Sequence, residues 1–416
     1  MFVREELSVS DIKHKVLESG FVAFRGCRTN KPLEISLDKK ARFVRLSLQA
    51  LESFHLDEIE IYDNTGVNIA IGKPTIISSM YNDDPRYNGS GAVNGTRKGG
   101  CGFHTKREES PWIVVDLGAV YQLSKIKIFN RDDDYFVRAL SLCIDCSVNL
   151  YKWILIHDNW SALKVIKGSK VTPREEALYH ACVFEPKIPQ QLLKKLKSTD
   201  HNAAKMLLND VNSVISDQGL ALATHGFRKT FDLIGDEAKQ VIYEELGQIL
   251  KWLNEDFGVN AFISSGTLLG IIRDGKLIAH DDDVDICYIS NFSEQSEILS
   301  ERERLVEFLI SKGCKLKRSG VAHYWCSTPK SVKLDIFTGW VENERCIMNP
   351  LNIDGLPKNA IFPLVKRDVS GEELVVPSNP EALLELNYGT NWETPDPLWV
   401  FDWTHAKRNY NFLYFK

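Results

Sequence analysis

Nowhere does the 416-residue sequence hold an apolar run approaching the roughly 18 residues that a membrane-spanning helix needs. Its first twenty residues scatter Arg, Glu, Asp and Lys where a secretory signal would carry an apolar core. Cysteine is sparse and odd in number: nine, at 27, 101, 143, 146, 182, 287, 314, 326 and 346, unlike the paired framework of a small secreted domain. Reduced thiols in a cytoplasm are the expectation. Positive charge has no surplus, since 51 Lys and Arg against 56 Asp and Glu leave −5. No global field therefore draws in nucleic acid, and an anionic ligand must be held by local groups. Repeats and low-complexity tracts are absent. Four Asn-x-Ser/Thr sequons, at Asn88, Asn94, Asn159 and Asn291, matter only in a secretory lumen and are read as chance.

What is present fits a soluble chain of two or three domains, with 44% hydrophobic and 26% charged residues, at a length beyond one ordinary core. Up to residue 165 the sequence runs in short alternating stretches broken by Gly, Pro, Asn and Asp, such as R-F-V-R-L-S-L and P-W-I-V-V-D-L-G. Period-two alternation with intervening turns predicts an all-β sandwich. Residues 166–235 turn to Lys, Leu, Ala, Glu and Gln and read as a helical linker. In the next helix Val241, Leu246, Ile249, Leu250 and Leu253 recur every three or four residues, making one apolar face, and Gly258 stands as its C-terminal stop. Strand-like and helix-like runs then alternate, so residues 236–416 are expected to form an α/β (α+β) domain.

The chemistry concentrates in Ser264-Ser265-Gly266-Thr267-Leu268-Leu269-Gly270, then Arg273, then Asp281-Asp282-Asp283-Val284-Asp285. On a strand, Asp283 and Asp285 share a face while Val284 turns to the core. Like charges held that close repel unless a cation intervenes, and hard oxygen ligands suit Mg²⁺ or Mn²⁺ with a phosphate ligand. Asp335, in V-K-L-D-I-F-T, is the expected third carboxylate, since a lone Asp among apolar neighbours needs a cation or a donor. Gly266 would let the backbone approach a phosphate, with Ser265 and Thr267 amides as donors, and Arg273 would neutralise charge developing in transfer. An acidic run alone is most often a solvated turn. A strand ending in Ser-Gly-Thr, a basic residue, alternate carboxylates and a later strand Asp together form the arrangement of nucleotidyltransferase-type palms.

The stretch G-T-L-L-G-I-I-R-D-G-K-L-I-A-H-D-D-D-V-D resembles the hallmark of the LicD family, which includes phosphocholine transferases and fukutin-related proteins. L-D-I-F, F-P-L-V at 362–365, V-V-P-S-N at 375–379 and Y-G-T-N-W at 388–392 extend the likeness. The resemblance implies a nucleotidyltransferase-like fold moving a phospho-alcohol from a CDP-activated donor to a sugar hydroxyl. It implies that Asp283, Asp285 and Asp335 hold metal and that Gly266 and Thr267 face the donor phosphates. Ala279-His280 stands where the family often has Pro-Trp, which puts donor-side contacts in question.

P-W-I-V-V-D-L-G at 111–118, with A-V-N-G-T at 92–96 and S-K-I-K-I-F-N-R after it, resembles the discoidin or factor 5/8 type C family, galactose-binding-like jelly rolls. R-F-V-R-L-S-L and L-D-E-I-E-I-Y-D, which usually close such a domain, come before those motifs here. Where members that bind calcium carry an Asp, this chain has Asn94. Tyr81, Tyr87, Phe103 and His104 are the expected glycan platform, because ring faces stack on sugar C–H groups. Trp112 is read as core. Cys143-Ile144-Asp145-Cys146 reads as strand, since no second Cys pair follows at zinc spacing.

These resemblances imply a cytoplasmic bacterial enzyme, peripheral to the inner membrane, that decorates capsule, lipopolysaccharide or teichoic-type polymer. Its partners would be a CDP-alcohol and a glycan acceptor, without nucleic acid. Nucleotidyl transfer from a nucleoside triphosphate would use the same carboxylates. A non-catalytic glycan-binding protein is the reading that Asp283, Asp285 and Asp335 argue against.

Overall fold

The computed structural model describes residues 6–168, 171–223, 225–317, 321–351 and 355–414. The chain divides into two units, residues 1–222 and 223–416. Among the described residues, no helix is long and apolar enough to cross a membrane.

The first unit is built on a six-stranded antiparallel sheet. Its strands are β1 (Leu33–Leu48), β2 (Glu58–Asp63), β3 (Thr75–Ile77), β4 (Trp112–Phe129), β5 (Leu142–Ser147) and β6 (Ile154–Asp158), in the order β2-β4-β1-β5-β6 with β3 also on β4. Strands β1 and β4 are long because they pair along most of their length, and register shifts at Ser36/Lys39 and Ala41/Phe43 let them bend. Alternate residues Ile113, Val115 and Leu117 of β4 are wholly buried, the period-two pattern visible in the sequence. Trp112 is half-buried at the head of β4, and Cys143 and Cys146 lie buried on β5 as free thiols.

Helices Asn159–Gly168, Pro173–Cys182, Lys187–Thr199 and His201–Ile215 follow in the same unit. The second starts on a capping box, in which Thr172 Oγ1 accepts from the Glu175 amide and the Glu175 carboxylate accepts from the Thr172 amide.

The second unit opens with helix α1 (Asp236–Lys251), which buries Leu246, Ile249 and Leu250; Leu253 is also buried, and Val241 is half-buried. The chain then widens into a π-turn over Trp252–Phe257 and stops at Gly258, whose φ of +86° suits glycine. A seven-stranded mixed sheet follows. Its main path is β7 (Asn260–Ile263), β8 (Val284–Ile289), β11 (Lys333–Glu342), β10 (Tyr324–Ser327) and β9 (Lys315–Lys317); β12 (Arg345–Met348) lies on β11 and β13 (Leu356–Pro357) on β12. Only β8 and β11 run parallel, joined by a crossover that includes helix α3 (Gln295–Ser311). Helix α2 (Ser265–Arg273) connects β7 to the segment before β8. The core gathers Phe262, Ile263, Leu268, Ile286, Tyr288, Leu305 and Ile336.

Candidate functional site

Parallel pairing decides the site. In β8 and β11 the register sets Asp285 directly beside Asp335, so carboxylates some fifty residues apart in sequence are neighbours in the interior of the sheet. Asp281 to Asp283 immediately precede β8. Asp285 is nearly buried and is stitched to the start of α2: its amide donates to Thr267 Oγ1 at 2.7 Å, and the Thr267 amide points at its Oδ2 from 3.4 Å. The Ser264 amide donates to the Asp285 carbonyl at 3.0 Å, tying β7 to β8 where the helix begins. The positive end of α2 therefore faces a carboxylate of this chain.

Gly266 explains how the carboxylates fit. A Cβ there would lie 2.6 Å from Asp281 Oδ2 and 3.4 Å from Asp285 Oδ2. The missing side chain thus admits the Asp281 carboxylate to the helix start, beside Asp285. Ser265 adopts a φ of +45°, and its buried Oγ has no hydrogen-bond partner.

Crowding of acids shows in their proton affinity. Burial, then the charges of neighbouring carboxylates, raises Asp283 and Asp285 well above the usual carboxylate range. Burial likewise lifts Asp281 to about 6. Such a set costs free energy when ionised unless a cation neutralises it, and oxygen donors on adjacent backbone elements fit a hard divalent ion. The unpartnered Ser265 Oγ beside them is a further oxygen for a ligand or a water.

Three further groups stand around the carboxylates. His225 Nδ1 lies 3.4 Å from Asp282 Oδ1 and 3.8 Å from Asp283 Oδ2, and these three side chains offer ligand atoms within 4.8 Å of one another. The hydrogen bond to Asp282, followed by the charges of Asp283 and Asp282, raises its imidazole to about 9 despite partial burial. His323 Nε2 stands 3.2 Å from Asp335 Oδ2, its ring packed among Trp325, Phe337 and Trp403. Tyr388 closes helix Pro380–Tyr388, which packs on α2; burial, then Asp285 and Asp281, pushes its phenol up. His225 and His323 stand in no spacing that marks them, so their only signal is three-dimensional, whereas Tyr388 opens the Y-G-T-N-W stretch.

Arg273 ends α2, at the far end from Gly266, and its guanidinium forks onto Asp274 at 3.0 and 2.8 Å. His280 is exposed. The structure thus gathers Ser265, Gly266, Thr267, Asp283, Asp285 and Asp335, and holds Arg273 on a different carboxylate.

In the first unit Tyr81, Tyr87 and His104 meet in one partly exposed cluster, with ring centroids 4.7 to 5.8 Å apart. Phe103 does not share that surface: it is wholly buried, edge-on against Phe54 at 5.1 Å, because alternate residues of this segment point inward. A cavity of about 640 Å³ lined by Lys73, Thr75, Ser79, Met80, Asn88 and Ser90 adjoins the two tyrosines along the chain.

Comparison with known proteins bears on the second unit. Among solved structures, the solution structure of the antibiotic-resistance factor ANT(2'')-Ia is similar at 17% identity over 42% of this chain and 83% of that one, with a TM-score of 0.28. At that score the likeness carries no argument. No curated protein matches the chain. Residues 258–379 match the family model described as LicD/FKTN/FKRP, nucleotidyltransferase domain. That span runs from Gly258, two residues before β7, past Asp335 and holds every carboxylate of the cluster, so a LicD-family nucleotidyltransferase domain is found at residues 258–379.

Proposed function

We propose that this protein transfers a phospho-alcohol from a CDP-activated donor to a hydroxyl of a cell-surface glycan and releases CMP. The observation that carries the proposal is the Asp285–Asp335 pairing beside the α2 start, inside the span that matches the LicD model. Asp283, Asp285 and Asp335 would hold Mg²⁺ or Mn²⁺, which supplies charge neutralisation for the donor phosphates.

The chain's own groups supply the rest. Asp335, on a rigid central strand, accepts the proton of the acceptor hydroxyl as its oxygen bonds to the distal phosphorus. The phosphoanhydride P–O bond breaks and CMP departs. Thr267 and the α2 amides fix Asp285, and Ser265 Oγ is free to donate to a phosphate oxygen. Holding both substrates in one orientation would provide much of the acceleration. The first unit, read as discoidin-like, would hold the glycan through Tyr81, Tyr87 and His104, and the covalent tether would raise the acceptor's local concentration. On this reading the enzyme works in a bacterial cytoplasm on polymer not yet exported.

The test is product release by purified protein with Mg²⁺, glycan acceptors, and CDP-choline, CDP-glycerol, CDP-ribitol or nucleoside triphosphates. CMP formed with one CDP-alcohol, and absent in Asp285→Asn, supports the reading. Pyrophosphate released from a triphosphate would replace it with nucleotidyl transfer.

A further inference from the structure

His225 stands where a metal ligand would, although the set proposed above leaves it out. It immediately precedes the strand Gly226–Arg228, and the chain after that strand is pinned beside the acidic run. The Phe231 amide donates to the Asp281 carbonyl and the Asp232 amide to the Ala279 carbonyl, both at 2.9 Å. His225 Nδ1 faces two carboxylates at once, with Asp282 Oδ1 at 3.4 Å and Asp283 Oδ2 at 3.8 Å. Two ligands of one ion bonded at about 2.1 Å lie about 3.0 Å apart when adjacent and about 4.2 Å apart when opposite, so both separations suit a shared ion. A protonated imidazole fits less well, because a single Nδ1–H points at one oxygen and leaves the other carboxylate without a donor.

This set is separate from the carboxylates paired across the strands. Among the described residues, His225, Asp282 and Asp283 are the one group of three such side chains whose ligand atoms all lie within 4.8 Å of one another, so neither Asp285 nor Asp335 joins them. The other oxygen of Asp282 is turned to Arg228, whose Nε lies 3.7 Å away, and Oδ1 is left toward His225. The Asp282 side chain is nearly buried while that of His225 is half in solvent, so an ion can enter from the histidine side. His323 offers no such ligand beside Asp335: the Nε2 that faces the carboxylate already accepts from the Trp325 indole N–H at 3.0 Å.

We propose that His225 Nδ1, Asp282 and Asp283 form a second divalent site, and that its imidazole ligand selects a transition-metal ion such as Mn²⁺ over Mg²⁺. Magnesium is held by oxygen, whereas an imidazole nitrogen favours divalent transition metals. The proposal rests on the reading above through Asp283, which the two ions share. It adds a second cation whose open positions suit phosphate oxygens of the donor.

Titration of the full-length protein with Mn²⁺, with nitrogen coupling to the bound ion read by pulsed electron paramagnetic resonance, tests this. The wild-type protein is expected to bind two Mn²⁺ and to show coupling to an imidazole nitrogen. His225→Gln should bind one Mn²⁺ and lose the coupling. His225→Asp should bind two again without the coupling, and its preference for Mn²⁺ over Mg²⁺ should fall about tenfold. Because the side chain is half in solvent, both variants should keep the wild-type circular dichroism spectrum. Coupling that survives His225→Gln, or that departs only with His323→Gln, overturns the proposal. One Mn²⁺ in every variant, with no nitrogen coupling, overturns it and leaves the reading above intact. No Mn²⁺ bound by the wild-type protein overturns both.

Discussion

Gly266 is a position where a side chain would crowd a carboxylate, because a Cβ would lie 2.6 Å from Asp281 Oδ2. Gly266→Ala must push Asp281 aside, while α2 itself gains slightly from alanine's helix propensity. The expected result is at least a tenfold loss of Mn²⁺ affinity, read by titration calorimetry, with the melting temperature held or raised. Asp285→Asn separates function from stability more sharply. It removes a buried charge from a set of mutually repelling carboxylates, so the metal-free variant should melt higher than wild type above pH 7 while turnover disappears. A lower melting point in the absence of metal would show that the Asp285 charge is already compensated within the chain. The glycine was visible in the sequence, but as a place for a phosphate to approach. Spacing along a chain does not say which atoms converge on a missing Cβ.

At the scale of elements, the strand that carries Val284 and Asp285 was legible, because a strand's period of two is local, but it begins at Val284 and leaves Asp283 in the segment before it. The pairing of Asp285 with Asp335 was not, since parallel register depends on how the crossover through α3 packs. His225 and His323 were hidden because each arrives from a separate segment, and Tyr388 was visible in Y-G-T-N-W without its place near Asp285. Within that crossover Arg302 is wholly buried, donating to Thr338 on β11 and to the Ala322 carbonyl at 2.6 Å, with its guanidinium over the Tyr324 ring. It clamps β11 to the segment that leads into β10, and so holds the strand that carries Asp335. Arg302→Ala should cost about 2–5 kcal/mol in urea unfolding, because two buried neutral acceptors lose their donor and a cavity is left. Metal affinity should fall with stability in this variant, in contrast to Gly266→Ala, where affinity should fall alone.

For the whole molecule, the two units should answer pH and metal differently. In the first, burial raises Glu58 to about 8 from an ordinary 4.5, and its Oε2 has no partner. Burial lowers His55 to about 3 from 6.5. Glu58 contributes stability that is complete below 4.5 and lost as pH climbs to 8; His55 contributes stability present above 6.5 and lost as pH drops toward 3. Between 4.5 and 6.5 the folded unit binds one proton more at Glu58 and one fewer at His55, so the two slopes cancel. Above 6.5 only Glu58 acts, and the unit weakens until about pH 8. In the second unit Asp281, Asp283, Asp285 and His225 are all raised, so each loses stability as pH rises, and a bound divalent cation should reverse that loss. Hydrogen exchange on the full chain at pH 6 and pH 8, corrected for intrinsic rates, can read both effects at once. At pH 8, Mn²⁺ should slow exchange at the Thr267 and Asp285 amides and leave the Gly95 amide, which donates to Glu58, unchanged. Glu58→Gln should do the opposite, protecting Gly95 without touching Thr267. Protection of Gly95 by Mn²⁺ would mean that Glu58 belongs to a cation site of its own, and the metal chemistry of this chain would then extend to its first unit.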